Sequence, residues 1–397
     1  MIKSLKICAV TTWPPHLDGI SLYSTQLYGH ISRRTEVRVL ANITNSAETI
    51  YEGKDCKVVR CWRRGSITYP LRIFSRILME RPDVIHLQHG WFLYGDKFFP
   101  LLFPLLLLLL RSYRRPIVVT MHTVIGEKPK LCENVVLNFI ARILIIFLTK
   151  TIVKLSDIII VHNDLMRRAL RDLYSLRKDV GKIIVIPHGV MERVKKPKEA
   201  AGNKREIKIL SLGFIRKSKG IEYLIEAFKE FSRRYQKSTL IIVGGKHAHD
   251  NGEYVEMLRK KLSREEMKNI IFTGFVDEEN LSRLIWESKI IVLPSLGSHY
   301  IEASGSLARV AMYGKPVICG KTPKFKADLK DGENCVMVEF NNPKELTDAL
   351  LLLAKDAKFR RRIGRNLSKK FRDRVWSRVA EQHINLFKNI FTQKMLI

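Results

Sequence analysis

Cysteine is scarce in this sequence, and the few cysteines are widely spaced. Six occur among 397 residues, and the closest pair is Cys56 and Cys61. Neither a Cys-x-x-Cys pair nor a cysteine–histidine spacing typical of zinc binding is present. These absences exclude a disulfide-rich scaffold and a structural zinc site. They predict free thiols in a reducing cytosol.

Several cofactor-binding patterns are also missing. There is no Asp-x-Asp pair, so a divalent metal held by carboxylates is not expected. No Gly-x-Gly-x-x-Gly follows the first strand-like segment, and the stretch from Gly314 to Thr322 has one residue too many for a P-loop. The short apolar stretch at the start runs into Trp13-Pro14-Pro15, which is unlike a secretory signal. The sequence therefore predicts a cytoplasmic protein with no metal and no cofactor.

Acidic residues are few relative to basic ones. There are 39 Asp and Glu against 70 Lys and Arg, which gives a net charge of +31. The excess is spread evenly, because residues 1–200 carry +16 and the rest +15. Such a field attracts anionic lipid, nucleic acid or phosphorylated small molecules. Nucleic acid is not expected as a partner, since no basic stripe alternates with aromatic residues and no recognition motif is present.

The order of apolar runs predicts an α/β protein with two domains. Short strand-like runs alternate with helical stretches up to residue 192, and the alternation begins again at Ile207. The polar stretch 193–206, which contains Pro197 and Gly202, is typical of a linker. We therefore expect two doubly wound, Rossmann-like domains, 1–192 and 207–375, which face each other across a cleft. Ligands of such sheets bind outside the carboxyl ends of the strands.

Two long apolar segments are unusual for a soluble α/β domain. The first is Phe98–Leu110, which Pro100 and Pro104 interrupt and basic residues follow. The second is Phe139–Lys154, in which Asn138, Arg142, Lys150 and Lys154 fall on one side of a helical wheel. Both could be buried helices of the first domain. The apolar helices and the positive charge together favour the alternative, peripheral contact with an anionic membrane surface.

Two segments of the second half are suited to bind a diphosphate. Ser304, Gly305 and Ser306 begin a helix after the strand Ile290–Pro294, where backbone N–H groups attract anions. The loop Gly213–Gly220 follows another strand and contains Arg216, Lys217 and Lys219. Each has a plain alternative, a helix N-cap for the serines and a solvated basic loop for the cations.

Three histidines of the first half, His86, His89 and His122, stand near the carboxyl ends of predicted strands, and His188 stands where the domain ends. Imidazole at such an edge can donate to sugar hydroxyls or stabilise developing charge, although a lone histidine is more often structural. Gly19, in the proline-rich loop after the first strand, is a further candidate.

The chain resembles the retaining glycosyltransferases of family 4, which have the GT-B fold. The similarity extends over nearly the whole chain, and the order and spacing of its pieces are more specific than any one of them. The matching pieces are Trp13-Pro14-Pro15 with Asp18-Gly19-Ile20, Arg81–His86, Ile186–Val190, Gly213–Gly220 with Leu224–Phe228, Phe272–Val276, Leu293–Ser295, Glu302–Gly305 and Gly314–Ile318.

This resemblance implies transfer of a hexose from a nucleoside-diphosphate sugar, with retention of configuration and without a divalent metal. Arg216 and Lys219 would neutralise the leaving diphosphate, and Glu302 and His122 would contact the donor sugar. Gly19, Gly213, Phe275 and Ser304–Ser306 would bind the donor, and His86, His89 and His188 would lie on the acceptor side. The C-terminal helix 376–397 would join the first domain.

Together with the membrane prediction, the resemblance implies a lipid-linked or membrane-proximal glycan acceptor at the inner face of the cell membrane. Two positions depart from the family pattern. The second glutamate of the Glu-x7-Glu motif, which holds the nucleotide ribose in the family, falls at Arg309, and His188 replaces a more usual asparagine. Arg309 motivates the alternative of a non-catalytic sugar-nucleotide-binding protein with a degenerate GT-B fold.

Overall fold

The structure is a computed structural model that describes residues 5–44, 50–52, 56–96, 98–126, 134–192, 206–245, 252–297 and 300–396. The chain divides into two compact units. Unit 1 comprises Met1–Gly189, His299–Ala303 and Trp376–Ile397, and unit 2 comprises Val190–Ser298 and Ser304–Val375. Of the predicted linker 193–206, Glu206 is described and the rest lies outside the described residues.

The strands of the described residues form one mostly parallel sheet, one parallel sheet and one small antiparallel pair. They are β1 (Lys6–Thr11), β2 (Glu36–Asn42), β3 (Ile50–Glu52), β4 (Lys57–Trp62), β5 (Val84–His89), β6 (Ile117–Met121), β7 (Thr123–Ile125), β8 (Ile158–Val161), β9 (Ile183–Val185), β10 (Ile207–Leu212), β11 (Ser238–Val243), β12 (Ile270–Gly274), β13 (Ile290–Leu293), β14 (Tyr300–Glu302), β15 (Val317–Gly320) and β16 (Val336–Val338).

The α-helices of the same residues connect these strands and cover the sheets. They are α1 (Gly19–Ile31), α2 (Tyr69–Glu80), α3 (Phe103–Ser112), α4 (Val135–Leu155), α5 (Asp164–Asp172), α6 (Ile221–Arg234), α7 (Glu253–Lys260), α8 (Glu266–Asn269), α9 (Glu278–Glu287), α10 (Gly305–Val310), α11 (Pro323–Lys326), α12 (Pro343–Lys355), α13 (Ala357–Phe371) and α14 (Trp376–Met395).

Unit 1 is built on a sheet with the strand order β3-β4-β2-β1-β5-β6-β8-β9. All neighbouring pairs are parallel except β3 and β4. Every residue of β5 and β6 is buried, because helices cover both faces of a parallel sheet. This burial explains why β6 is almost entirely apolar, whereas in β5 the polar side chains of His86, Gln88 and His89 are buried as well.

Unit 2 is built on a parallel sheet with the strand order β12-β11-β10-β13-β15-β16. The central strands β10 and β13 are rich in isoleucine, valine and leucine and are almost fully buried. Two core clusters, one on each face, cover the sheet with side chains of α6, α12 and α13. The order reverses direction between β10 and β13, which is where doubly wound sheets bind ligands at the carboxyl edge. Both units therefore have the doubly wound α/β architecture that the sequence predicts.

One segment of the predicted second domain belongs to unit 1. Residues 299–303 were expected between a strand and a helix of the second domain, but β14 pairs with β7 in an antiparallel ladder. Ile301 is buried in the core cluster of unit 1, which explains the assignment. The first segment of unit 1 ends at Gly189, whereas the predicted boundary was 192.

The C-terminal helix α14 packs against α1 within unit 1. Its inward side chains include Trp376, His383 and Phe387, all buried. Trp376 lies against Gly189, where any Cβ atom would collide with the indole ring. Glycine is therefore required at position 189 by close packing.

The apolar segment at 98–110 forms a 3₁₀ turn, Phe99–Leu102, followed by α3. One side of α3 is buried in the unit 1 core through Phe103, Leu106, Leu107 and Leu110. The burial of this side is what the buried-helix alternative predicts. Phe98, Leu101, Leu105 and Leu108 nevertheless remain exposed.

Helix α4 is buried mainly in its C-terminal half. Leu148, Thr149, Ile152 and Val153 are its buried residues, and nine apolar residues between Val135 and Phe147 are exposed. Asn138 and Arg142 lie half-buried on the inner side of the helix. Among the described residues, α4 is long and apolar enough to cross a membrane, by length and composition only.

Candidate functional site

The candidate site of unit 1 lies at the carboxyl ends of β5, β6 and β8. His122 follows β6 directly, and its backbone N–H donates to the carbonyl of His89, the last residue of β5 (2.9 Å). His162 follows β8 in the same way. Because these strands are parallel neighbours, residues that are far apart in sequence meet at one edge.

A hydrogen-bonded chain passes through His122. Its Nε2 lies 2.7 Å from Oε1 of Gln88, and its Nδ1 lies 3.1 Å from Nε2 of His162. Gln88 also donates to the hydroxyl of Tyr28 (2.6 Å), and Nδ1 of His162 lies 3.2 Å from the carbonyl of Ile186. Both ring nitrogens of His122 are thus engaged, so a ligand reaches them by replacing Gln88 or His162. Gln88 and His162 were not among the residues predicted from the sequence.

Burial keeps these histidines neutral. It lowers the pKa of His122 well below the ordinary value, and the neighbouring imidazoles of His162 and His188 lower it further. Burial lowers the pKa of His162 to about 3. A neutral imidazole at this edge orients a hydroxyl group by accepting or donating one hydrogen bond.

Strand pairing places Glu302 opposite the residue that follows His122. In the β7–β14 ladder, Glu302 is directly opposite Thr123. Ile301 points into the core, so the alternation of side chains along the strand directs Glu302 to the opposite, partly exposed face. Glu302 and His122, two predicted site residues, therefore both belong to unit 1 and lie in neighbouring parts of the chain there.

Several buried polar atoms near this edge have no hydrogen-bond partner among the described residues. They are the hydroxyl of Tyr23, Nδ1 of His89, Nε1 of Trp91 and the hydroxyl of Thr123. The ring of Tyr23 packs against His122, with centroids 4.8 Å apart. Unsatisfied buried groups are rare in protein cores, and their concentration here is more typical of a binding edge.

Gly19 is the first residue of α1, and no atom lies within 4 Å of the position that a Cβ would take. The preceding Asp18 caps the helix through the N–H of Ser21 (2.6 Å). Burial alone would raise the pKa of Asp18, but hydrogen bonds from His16 and Ser21 outweigh it and lower the pKa. Asp18 is therefore ionised and fixes the loop that presents Gly19.

The other three predicted histidines differ in their environment. His86 is completely buried inside β5, and its ring nitrogens contact the hydroxyls of Tyr28 (3.0 Å) and Thr120 (2.8 Å). This enclosure fits the structural alternative for His86, and the acceptor-side role stays a prediction. His89 is buried between Trp91 and Phe103. His188 is half-buried and packs against Tyr23 and Trp376.

In unit 2, three neighbouring parallel strands each end at a glycine. Gly213 follows β10, Gly244 follows β11 and Gly274 ends β12, and all three have positive φ angles. A Cβ at Gly244 would collide with the carbonyl oxygen of Gly213, and one at Gly245 would collide with the ring of Phe275. These glycines let the backbones approach one another and leave room at the carboxyl edge. Gly213 and Phe275 were predicted from the sequence as donor-binding residues, whereas Gly244 and Gly245 were not.

The predicted diphosphate-binding pieces are near these glycines. Ser304 caps α10 by accepting from the N–H of Leu307 (3.2 Å), and the hydroxyl of Ser306 is 3.1 Å from the Cβ position of Gly213. Gly305 is exposed at the start of the helix. The predicted helix 304–313 consists of the six-residue α10 and a 3₁₀ turn, Ala311–Tyr313.

The basic loop after Gly213 forms a 3₁₀ turn, Lys217–Lys219, which Gly220 ends in a left-handed conformation. The N–H of Leu296 donates to the carbonyl of Ser218 (3.1 Å) and ties this turn to the loop after β13. Arg216 and Lys217 are exposed and Lys219 is half-buried. Phe275 is half-exposed and meets Phe214 edge to face, with centroids 5.7 Å apart.

Arg309, which stands at the position of the second motif glutamate, forms an ion pair with Glu278 at the start of α9. The described residues contain no group of three or more His, Cys, Asp or Glu side chains that could hold a metal ion.

Two family models match the chain. The model described as Glycosyltransferase Family 4 matches residues 17–192, and the model described as Glycosyl transferases group 1 matches residues 192–370. The two matches meet at residue 192 and together extend over nearly the whole chain.

Curated relatives are distant. An uncharacterized glycosyltransferase of Methanocaldococcus jannaschii, MJ1607, is 28% identical over 182 residues, which are 45% of this chain and 44% of that protein. The chain thus matches less than half of that relative's length. Phosphatidyl-myo-inositol mannosyltransferase of Mycobacterium leprae is 26% identical over 287 residues, which are 71% of this chain and 70% of that protein.

Solved structures show the fold. Sucrose-phosphate synthase from Thermosynechococcus elongatus superposes with a TM-score of 0.74 at 17% identity, covering 98% of this chain and 100% of that chain. HepE of Anabaena in complex with UDP-glucose superposes with a TM-score of 0.70 at 14% identity, covering 97% of this chain and 100% of that chain. On the family models and this shared fold, the chain belongs to the family 4-type glycosyltransferases of the GT-B fold.

Proposed function

We propose that this protein is a retaining glycosyltransferase that moves a hexose from a nucleoside-diphosphate sugar to a lipid-linked or membrane-proximal glycan acceptor. The reaction uses no divalent metal and no cofactor, and it takes place on the cytoplasmic side of the membrane. The observation that carries the proposal is the β7–β14 ladder, which places Glu302 opposite Thr123, the residue after His122, in a chain matched by both family models.

Unit 2 would hold the nucleotide and the diphosphate. The glycines at the ends of three neighbouring strands leave backbone groups accessible, and the N-terminus of α10 lies beside Gly213. Phe275 offers a half-exposed ring against which a base can stack. Arg216 and Lys219, in the turn after Gly213, would neutralise the charge that develops on the departing diphosphate.

Unit 1 would act on the sugar. Glu302 would hold the sugar hydroxyls, and His122 would exchange one of its internal hydrogen bonds for one to the sugar. In the transfer, the bond between the anomeric carbon and the diphosphate oxygen breaks and its electron pair leaves with the diphosphate. The acceptor oxygen bonds to the anomeric carbon, and its proton leaves with the diphosphate. Contacts that strengthen as this charge develops accelerate the step.

Features of the chain and the name of one relative support a lipid-linked or membrane-proximal acceptor. The outward side of α4 is apolar, which fits a membrane surface, and the chain carries a net charge of +31, which attracts anionic lipid. One relative is named phosphatidyl-myo-inositol mannosyltransferase, a name that includes a lipid acceptor.

A non-catalytic sugar-nucleotide-binding protein is the second candidate. Arg309, which replaces the ribose-binding glutamate of the motif and pairs with Glu278, favours it. The two candidates differ in one measurable property, because a transferase slowly hydrolyses its donor in the absence of acceptor and a binding protein does not.

The test is release of nucleoside diphosphate from a panel of sugar nucleotides by the purified chain in EDTA. We expect one donor to be hydrolysed, and we expect the Lys219→Ala variant to lose most of that activity. Lys217→Ala, which removes an exposed cation from the same turn, is the matched control and should retain it. Binding without hydrolysis would support the second candidate, and equal activity of both variants would remove Lys219 from the mechanism.

A further inference from the structure

The exposed apolar residues of unit 1 are concentrated on two neighbouring helices. On α4 they include Val136, Phe139, Ile140, Ile143 and Phe147, which follow one another at helical spacing on the outward side. Helix α3 packs against α4 and, with the residues before it, exposes Phe98, Leu101, Leu105 and Leu108. We call these nine residues the apolar surface. Its size exceeds what single exposed apolar side chains explain.

Along both helices, exposed apolar residues come first and basic residues follow near the C-terminal end. The exposed residues of α4 are apolar up to Phe147, and Lys150 and Lys154 follow on the same side. On α3 the apolar residues give way to Arg111 and, just beyond the helix, Arg114. Arg111 pairs with Asp157, whereas Arg114 and Lys154 are exposed. Neither helix carries an acidic side chain.

Both helices have the same direction in the fold. They follow the parallel neighbours β5 and β6, so their first turns lie near the carboxyl ends of the strands and their last turns near the amino ends. The apolar parts of the two helices therefore lie at the edge of the sheet where His122 and Glu302 lie. The cations lie toward the other edge.

We infer that the apolar surface inserts into one leaflet of an anionic bilayer, with the N-terminal half of α4 deepest and Lys150, Lys154 and Arg114 at the level of the lipid phosphates. This inference rests on the proposed membrane-proximal acceptor and specifies how the chain meets that membrane. Charge complementarity between the cations and anionic lipid, beside an apolar face, is what selects a bilayer over a second copy of this equally basic chain.

The depth of insertion follows from the length of the free part of α4. Residues 135–147 form a helical stretch of about 20 Å at 1.5 Å per residue. This is shorter than the hydrocarbon core of a bilayer, about 30 Å, and close to one leaflet. Ile152 and Val153 belong to the unit 1 core, so the C-terminal half of α4 stays in the protein. The helix enters the membrane without crossing it.

The inner side of α4 connects the membrane to the site. Leu148 packs with Trp91 and Ile125 in a small buried cluster, against which Ile145 and Tyr300 also pack. Ile125 and Tyr300 are paired residues of the β7–β14 ladder. The helix that inserts therefore supports directly the two strands that carry Thr123 and Glu302, and an acceptor anchored in the bilayer has a short path to Glu302.

The first experiment measures flotation of the full chain with vesicles of phosphatidylcholine and phosphatidylglycerol. Ile143→Ser/Phe147→Ser replaces exposed side chains (53% and 64% exposed) and should reduce the bound fraction at least tenfold at every salt concentration. Lys150→Gln/Lys154→Gln should weaken binding at low salt and have little effect at high salt. Leu352→Ser, at an apolar residue of unit 2 that is 45% exposed, is the matched control and should bind like the wild type.

The second experiment measures depth. Phe139→Trp and Lys154→Trp each add one indole to the chain, and lipids brominated along the acyl chain quench indoles that reach the hydrocarbon. We expect added quenching for Phe139→Trp and none for Lys154→Trp. Equal quenching at both positions, or wild-type binding of Ile143→Ser/Phe147→Ser, overturns the inference.

Two further outcomes separate this inference from its alternatives. A wild-type dimer in solution that Ile143→Ser/Phe147→Ser converts to a monomer, with no vesicle binding, would assign the apolar surface to a second copy and overturn the inference. Release of nucleoside diphosphate without vesicles should be unchanged in all α4 variants. If the wild type binds vesicles but hydrolyses no donor, the proposed function fails while the membrane surface stands.

Discussion

Glu302 and Thr123 are directly opposite each other in the β7–β14 ladder, although they are far apart in sequence. Thr123 follows His122, so the ladder holds Glu302 opposite the residue next to the histidine chain. The neighbouring Ile301 is buried in the unit 1 core and anchors the strand. The position of Glu302 is therefore determined by packing and strand pairing together.

The first prediction concerns the charge of Glu302. Glu302→Gln keeps the shape of the side chain and removes its charge. We expect kcat/KM for glycosyl transfer to fall by roughly two to three orders of magnitude, since loss of one electrostatic contact in a transition state costs about 3–4 kcal/mol. Steady-state kinetics with the donor identified by the panel measures this. The midpoint of thermal unfolding should stay within a few degrees of the wild type.

Ile301→Ala is the control for that prediction. It removes buried volume on the other side of the same strand and should destabilise unit 1 by about 2–4 kcal/mol. If Glu302→Gln lowers the stability as much as Ile301→Ala does, the glutamate is structural and its catalytic role is wrong.

The second prediction concerns the glycines of unit 2. Gly245→Ala introduces a Cβ that collides with the Phe275 ring, so the ring must move. We expect the dissociation constant of the donor to rise about tenfold or more, with a smaller effect on stability, because the half-exposed ring can shift into solvent. Isothermal titration with the donor measures the change.

Gly244→Ala should behave differently from Gly245→Ala. Its Cβ meets the carbonyl oxygen of Gly213, which is backbone and cannot move aside, and its φ of +141° is unsuited to alanine. We expect unit 2 to unfold at clearly lower denaturant concentration.

Donor affinity that is unchanged in Gly245→Ala would show that Phe275 does not contact the nucleotide.

The fold was largely predictable from the sequence because buried parallel strands are unbroken apolar runs. Ile290–Leu293 and Ile207–Leu212 are examples, and glycine follows the second directly. The sequence also contained a signal for Gly244 and Gly245, since two glycines follow the apolar run of β11. No comparable signal marks β14. A strand of three residues is too short to show a hydrophobic periodicity, and its partner β7 is distant in sequence.

The orientation of α4 was not predictable for a different reason. A helix that is apolar almost all round has no strong preference for one side, so its sequence does not indicate which side packs on the core. In the structure, packing of Ile152 and Val153 decides the orientation and leaves Asn138 and Arg142 on the inner side. The position of His86 in a strand was also predictable. Its contacts with Tyr28 and Thr120 were not, because they join β5 to α1 and β6, which meet only in the folded chain.

The third prediction concerns Gln88, which connects Tyr28 to His122. Gln88→Met removes both hydrogen bonds and leaves buried polar groups unpaired, at a cost of about 1–3 kcal/mol in stability. We also expect a fall in kcat, since the ring of His122 loses the partner that orients it. Thr120→Val is the matched control, because it removes a hydrogen bond of His86 at 2.8 Å and leaves the His122 chain intact. It should lower stability without lowering kcat, and an equal fall of kcat in both variants would contradict the positioning role.

The fourth prediction concerns acid stability. Burial lowers the pKa of His89 and of His383 to about 4, and that of His162 to about 3. Unfolded histidine has a pKa of about 6.5, so between these values the unfolded chain binds protons that the folded chain does not. The free energy of unfolding of unit 1 is therefore highest above pH 6.5. It falls as the pH decreases toward 4, by about 1.4 kcal/mol per pH unit for each such histidine.

Urea unfolding at pH 7.5, 6 and 5, followed through the fluorescence of unit 1, measures this slope. His89→Leu should reduce the slope by about one proton, because the leucine cannot be protonated and fits between Trp91 and Phe103. Stability that is constant from pH 7.5 to 5 would mean that these histidines titrate alike in the folded and unfolded chains, and the neutral imidazole chain through His122 would then lose its basis.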